Sequence, residues 1–289
     1  MWKQKMGISL ALGYPVPIKR VIEIVKTVGF DAISPEWSNL KALDEIAELA
    51  NEQGLILQSL HAPYRETAKL WSKDENVSAP VLAEILSAID GCVKHGIPLL
   101  VMHAWKGFEE CPPPTKEGIS NYETIVKKAK AHGVKIALEN TEGKELLDVL
   151  MNHFRNEETV GFCWDSGHEM CFNRSKDLLS EYGDRLFITH LNDNLGISDY
   201  GGKVVWTDDL HLLPLDGISD WDYNVKRLAK AKPLDVLNFE LYIRNKPNRY
   251  DTLGYEKMSI EEYFCEAYRR ACKIASRLIR EKNVKENKF

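Results

Sequence analysis

Carboxylates and imidazoles end one apolar run after another along this chain. The runs close in Ser59-Leu60-His61-Ala62-Pro63-Tyr64, Val101-Met102-His103-Ala104-Trp105 and Ala137-Leu138-Glu139-Asn140. They continue in Phe162-Cys163-Trp164-Asp165-Ser166-Gly167-His168, Ile188-Thr189-His190-Leu191-Asn192-Asp193-Asn194 and Asn238-Phe239-Glu240-Leu241-Tyr242. An acid or imidazole at the end of a buried strand is costly unless it is paired or bound to metal. Where such ends converge, the acids would repel or stay unsatisfied without a cation. A lone strand-end histidine such as His61 or His103 is more often hydrogen-bonded in the core or at the surface. Six coincident ends make Glu139, Asp165, His190 and Glu240 the expected metal ligands. Mixed oxygen and nitrogen donors suit Mn²⁺, Zn²⁺, Co²⁺ or Fe²⁺ better than Mg²⁺.

Eight near-continuous apolar runs are the strand candidates: Gly7–Leu12, Asp31–Trp37, Leu55–His61, Leu99–His103, Val134–Asn140, Val160–Asp165, Leu186–Asn192 and Val236–Tyr242. Strands buried on both faces read this way. Between them Pro17–Val28, Leu40–Gln53, Ala79–Lys94, Ile119–His132 and Lys144–Phe154 carry apolar residues at helical spacing. Asp177–Tyr182 and Tyr223–Ala231 are weaker segments, and Ile260–Arg280 is long and amphipathic. Gly29, Gly54, Gly96 and Gly133 fit helix C-caps. Strict alternation predicts a parallel sheet. An open doubly wound sheet would usually place a Gly-rich phosphate loop after its first strand. Leu12-Gly13-Tyr14-Pro15 is no such loop, so a closed (β/α)₈ TIM barrel is expected. The six polar ends then share one mouth, where barrel active sites are built.

With 289 residues and no Gly/Ser linker, the whole chain, 1–289, is expected to be one barrel domain, with a charged, frayed tail over about 281–289. A hydrophobic fraction of 44% and a charged fraction of 28% are those of a globular protein. A net charge of −5 argues against nucleic acid as a partner. The six cysteines show no C-x-x-C spacing and read as reduced thiols rather than a zinc site. The N-terminus lacks the apolar stretch of a signal peptide, and no apolar run approaches the length of a membrane span. A cytoplasmic location follows as the expectation.

Glu139-Asn140, Asp165-Ser166-Gly167-His168, His190-Leu191-Asn192-Asp193-Asn194 and Phe239-Glu240 together resemble the xylose isomerase-like barrel superfamily. Sugar isomerases and epimerases, inosose dehydratases and endonuclease IV belong to it. The resemblance runs from the first strand to Glu240. Individually the motifs are modest; in this order they point to the superfamily more than to a reaction. Epimerase-like members hold one metal, which implies Glu139, Asp165, His190 and Glu240 here. Endonuclease IV-like members hold three zinc ions, which implies His61, His103, His168, Asp209 and His211 as further ligands. Asp209-Leu210-His211 has the D-x-H spacing that a third metal would need. The stretch His211-Leu212-Leu213-Pro214-Leu215-Asp216-Gly217-Ile218-Ser219-Asp220-Trp221 resembles instead the H-x-x-P-x-x-G-x-x-D-W segment of sugar isomerases and epimerases. That family often has Gly where Leu215 stands.

The preferred reading is a metal-dependent isomerase or epimerase of a sugar or sugar phosphate in carbohydrate metabolism. A divalent metal, Mn²⁺, Zn²⁺ or Co²⁺, would stabilise an enediolate. One ion is expected, and up to three would fit. Glu139 and Glu240, across the barrel from each other, would exchange the proton. His61, His103, His168, His211 and Trp105 are the expected substrate contacts, so the five further residues are ligands under one reading and mostly substrate contacts under the other. Trp37, Trp105, Trp164 and Trp206 suit a sugar face, although each alone is better read as packing. Arg65 could meet a phosphate but reads more simply as a solvated charge. The alternatives are a three-zinc phosphodiesterase acting at abasic DNA, with Tyr64 as a wedge, a cyclitol (inosose-type) dehydratase, and a metal-binding barrel without catalysis. Acids in the loops, Glu109-Glu110, Asp193, Asp199, Asp208-Asp209 and Asp216, weaken the DNA reading. The resemblance also implies homo-oligomers through helix faces, although the sequence carries no interface signal.

Overall fold

The computed structural model describes residues 4–10, 14–108, 110–249 and 254–286. Ala11, Leu12 and Gly13 of the first expected strand and loop, Glu109, and residues 287–289 of the expected tail lie outside them.

The strands run β1 (Lys5–Leu10), β2 (Ala32–Pro35), β3 (Ile56–Leu57), β4 (Leu60–His61), β5 (Leu99–His103), β6 (Lys135–Glu139), β7 (Val160–Asp165), β8 (Leu186–His190) and β9 (Val236–Phe239). All named pairs are parallel, in the orders β3-β2-β1-β9 and β4-β5-β6-β7-β8. Two parallel bridges, Glu36 with His61 and Leu191 with Phe239, join the two sheets into a ring. The TIM-barrel expectation is met. The third expected strand is split: β3 pairs with β2, β4 pairs with β5, and Gln58-Ser59 turns the chain between them.

The helices are α1 (Ile18–Val28), α2 (Leu40–Gln53), α3 (Glu75–His95), α4 (Lys116–Ala131), α5 (Lys144–His153), α6 (Ser166–Cys171), α7 (Leu178–Tyr182), α8 (Trp221–Leu228) and α9 (Ile260–Glu286). Gly29, Gly54 and Gly96 cap α1, α2 and α3 in the left-handed conformation. Asp74 caps α3 by accepting from Asn76 N, so the helix starts at Glu75 and carries Pro80 inside it rather than near its start. α6 has no counterpart among the expected helices, and α9 continues past Arg280 to Glu286.

One sequence expectation is corrected. α3 is long and apolar enough, by length and composition, to cross a membrane. Its buried face (Val81, Ile85, Ala88, Ile89, Cys92) belongs to the main core, as an outer helix of a barrel requires.

Side-chain alternation explains the site. Leu99, Val101, Ala137, Cys163 and Ile188 form a small buried cluster of their own. Residues two positions on share the same strand face. That places His103 after Val101, Glu139 after Ala137, Asp165 after Cys163 and His190 after Ile188. The register sets His103 level with Glu139, and Asp165 level with His190.

Candidate metal centre

Glu139 is the hub. It is 0% exposed, and each carboxylate oxygen meets different imidazoles. Oε2 lies 3.3 Å from His61 Nε2 and 3.2 Å from His103 Nε2. Oε1 lies 3.0 Å from His190 Nδ1 and 3.4 Å from His168 Nδ1. His190 Nδ1 also stands 3.1 Å from Glu240 Oε2. On the far side, Asp209 Oδ1 lies 2.8 Å from His211 Nε2 and 3.3 Å from His168 Nε2. All nine acids and histidines expected from the sequence therefore belong to one cluster. Within it, His61-His103-Glu139, Glu139-Asp165-His190-Glu240 and Asp165-His168-His211 each bring donor atoms close enough to share an ion.

The neighbouring motif residues act as struts. Asn140 Oδ1 accepts from Asp165 N at 2.8 Å, and its Nδ2 donates to Asp165 O at 2.9 Å, locking β6 to the end of β7. The Asp165 side chain accepts from His168 N at 2.6 Å as the N-cap of α6, which presents His168. A Cβ at Gly167 would collide with Asn192 Oδ1, so only glycine allows this approach. Asp193 takes four N–H donors, from Asn194, Ser219, Leu215 and Trp221 Nε1, and so shapes the loop behind Asp209 and His211. Leu215 stands in that loop with φ 78°, the conformation for which the resembling family uses Gly.

Electrostatics fit a shared cation. Burial alone would raise Glu139, but the His190 charge and hydrogen bonds from His103, His168 and His190 hold it well below the usual carboxylate range. Burial likewise opposes Glu240, yet His190 brings it down to about 2. Asp165 goes the other way, to about 6, because burial outweighs His168 and His211. Burial lowers His103 to about 4 despite Glu139. His168 Nδ1 and Asp209 Oδ1 are buried with no hydrogen bond of good geometry, although charged atoms lie within 3.4 Å of each. Buried polar atoms left in this state normally have a partner, and a divalent ion among these O and N donors would supply one.

The centre opens into a cavity of about 270 Å³, on which His61, His103, His168, Asp209, His211 and Glu240 appear. Glu139, Asp165 and His190 lie below it. Trp105 does not line it; it is buried against Gly107 and Gly143. Trp164 is fully buried and donates Nε1 to Glu169, while Trp206, about half exposed, lines the cavity with Arg65. Sequence reasoning missed Glu36, Lys106, Phe108, Tyr242 and Lys246, which also line it. Glu36 carried the same signal as the others, an acid just past a strand. Burial raises its carboxyl above the ordinary value.

Comparison with known proteins agrees with this picture. The family model described as xylose isomerase-like TIM barrel matches residues 22–276. The uncharacterized protein y4fM of Sinorhizobium fredii is 34% identical over 121 residues, which is 40% of this chain and 36% of that protein. The match thus spans little more than a third of that relative's length. The IolI protein, crystallised with a bound zinc atom, superposes with a TM-score of 0.75 at 22% identity, over 95% of this chain and 99% of that one. D-Psicose 3-epimerase from Clostridium cellulolyticum H10 does so at 0.70 and 15%, over 95% and 99%. L-Ribulose 3-epimerase does so at 0.70 and 14%, over 98% and 97%. At these identities the structures establish a common fold. With the family match over most of its length, the chain belongs to the xylose isomerase-like TIM barrel family.

Proposed function

We propose that the protein is a metal-dependent isomerase or epimerase of a sugar or sugar phosphate, acting on a carbon beside a carbonyl. The observation that carries this reading is Glu240. Its carboxylate lines a cavity sized for one small molecule, and it stands 3.1 Å from His190 Nδ1 at the same time. Such a group can both hold a metal and exchange a proton with substrate. Two of the structurally similar proteins are named as sugar epimerases and a third carries zinc, which supports the same chemistry.

Glu139, Asp165, His190 and Glu240 would hold a divalent ion, which when bound would supply electrophilic stabilisation of the negative charge that develops beside the carbonyl. The chain does the rest. Glu240, the carboxylate of the four-residue set that lines the cavity, is the proposed base that takes the proton. Glu139, beneath His61 and His103, is the proposed second carboxylate of the pair. His168 and His211 face the cavity and hold substrate hydroxyls. The test is turnover of a panel of ketoses and ketose phosphates by metal-loaded protein, following proton exchange with deuterated water. No exchange at any carbon beside a carbonyl would remove this reading.

A second reading has its own support. Glu139 links His61 and His103 through one oxygen to His168 and His190 through the other, and His168-Asp209-His211 forms a third group. Three metals here would suit phosphodiester hydrolysis at abasic DNA. Cleavage of an abasic duplex, with no exchange on any sugar, would favour it.

A further inference from the structure

Above the ligand floor the cavity has a second tier. The Tyr64 ring lies 5.5 Å from His61 and 5.1 Å from His103, and the Tyr242 ring lies 4.7 Å from His211. Each tyrosine in turn lies near an ammonium. Lys106 Nζ is 5.8 Å from the Tyr64 ring, and Lys246 Nζ is 4.9 Å from the Tyr242 ring. Arg65 follows Tyr64 and lines the same cavity. The three cations come from three loops, after β4, β5 and β9.

Their partners leave them under-used. Lys106 pairs with Glu142, which lies outside the cavity lining, at 2.9 Å. Lys246 meets Asp209, a floor residue, at 3.4 Å. Among the described residues Arg65 makes no hydrogen bond or ion pair. Lys106 and Lys246 are largely covered, with side chains 22% and 17% exposed. Withdrawing ammonium groups from water is costly, and a neutral polyol repays little of that cost. An anion bound by several cationic donors repays it through charge-assisted hydrogen bonds.

We propose that Arg65, Lys106 and Lys246 form an anion subsite. It takes the phosphate of a small phosphorylated sugar whose carbonyl end faces the metal-ligand floor. A carboxylate would be recognised by the same chemistry, but Glu36, Asp209 and Glu240 share the cavity, so the distinction rests on geometry: donors arriving from three loops match the three acceptor oxygens of a phosphate better than the two of a carboxylate. The cavity of about 270 Å³ admits one such molecule. The inference deepens the isomerase or epimerase reading and rests on it for the identity of the sugar end.

The test uses metal-loaded protein and isothermal titration with glycerol 3-phosphate, glycerate and glycerol. None of these has a carbonyl to isomerise, so binding is read apart from turnover. Arg65→Gln and Lys106→Gln, singly and combined in a double variant, are compared with the parent after matching metal content and melting temperature. The expected result is binding of glycerol 3-phosphate more tightly than glycerate, no binding of glycerol, and a loss of about tenfold or more in each variant. Unchanged affinity in the double variant overturns the subsite, because the phosphate would then sit elsewhere. Tighter binding of glycerate overturns the phosphate assignment. If the tenfold losses appear but no ketose is turned over, the subsite stands and only the isomerase reading falls.

Discussion

Glu139 Oε1 faces His190 Nδ1 at 3.0 Å in a part of the barrel where neither side chain meets water. The opposite oxygen of Glu139 faces His61 and His103, so one charge serves two groups of donors. Glu240 reaches His190 and, at 3.7 Å, His211. Replacing either acid by glutamine keeps the shape and removes the charge. Glu139→Gln and Glu240→Gln should each abolish turnover, by about a thousandfold or more if each carboxylate moves a proton. Glu139→Gln should also lose the larger share of bound metal. Near-full activity in either variant would end its proposed role.

The number of ions separates the two readings directly. Metal analysis of purified protein giving about one equivalent of Mn²⁺ or Co²⁺ supports the sugar enzyme, with the four-residue set as its site. About three equivalents of Zn²⁺ means that His61, His103, His168, Asp209 and His211 are ligands rather than substrate contacts. Because the donors are prearranged by the barrel, ions that bind the folded state should raise the melting temperature, and chelation should lower it.

Protonation of the same residues predicts how chelated protein responds to pH. Burial lowers the His168 and His211 imidazoles, but Asp165 and Asp209 on His168, and Asp209 on His211, leave both above the ordinary 6.5. A raised folded value means their stabilisation is complete below 6.5 and fades as pH rises through the folded values. Glu240 is depressed from 4.5 to about 2, so its contribution is complete above 4.5 and fades as pH falls towards 2. Asp165, at about 6, and His103, at about 4, change charge below pH 6.5 with opposing effects on stability, so the sign is fixed only above that: chelated protein should melt lower at pH 9 than at pH 6.5. Bound metal, which prefers neutral imidazole, should remove the decline towards pH 9. A melting temperature in EDTA that is flat or rising from pH 6.5 to 9 would contradict this assignment.

Particular residues show what was legible in the sequence. His103, Glu139, Asp165 and His190 could be found because each ends an apolar run, and an alternation of two fixes which face they share. The D-x-H of Asp209 and His211 was visible only through family resemblance, since the loop carrying it is held by Asp193 from a distance. Tyr242 closes the last expected run, two residues beyond Glu240, but Lys106 and Lys246 could not be found by pattern. They sit beyond strand ends, and only ring closure brings their loops together. α6 is six residues long, too short for a helical period, and its cap is Asp165, one of the proposed metal ligands. The break at Gln58-Ser59 shows only as a polar pair, and the run reads as one strand because Leu60 resumes the apolar pattern after it.

The loop that carries Asp209 and His211 should be sensitive at Gly217. A Cβ there would overlap Asp193 Oδ1 and the backbone of Asn194. Those atoms belong to the hub that takes the N–H groups of Ser219 and Leu215 and the Trp221 indole. Gly217→Ala must open that hub, at a cost of about 1–3 kcal/mol. Denaturant titration measures the cost, and the KM for the sugar should rise as His211 shifts. A loss below about 0.5 kcal/mol would mean that Asp193 does not organise this loop.

Arg227 offers the sharpest separation of structure from chemistry, because it lies behind the centre and touches none of its ligands. Its guanidinium donates to Glu169 at 2.6 Å and Asp177 at 2.8 Å, and stacks near Trp164. Glu169 is 4% exposed and sits next to His168 on α6. Removing the cation leaves a buried carboxylate with, among the described residues, only Trp164 Nε1 and Leu178 N as donors. Arg227→Met should therefore cost about 3–5 kcal/mol, as broken buried pairs do. Adding Glu169→Gln removes the stranded charge and should restore a good part of that loss, giving a coupling energy of about 1–3 kcal/mol in the cycle. If α6 is held in place by this pair, Arg227→Met should also bind less metal, because α6 is capped by the proposed ligand Asp165, and the double variant should regain it. A cost under about 1 kcal/mol, or additive single effects, would show that α6 is held by the Asp165 cap and the Asn192 contacts alone.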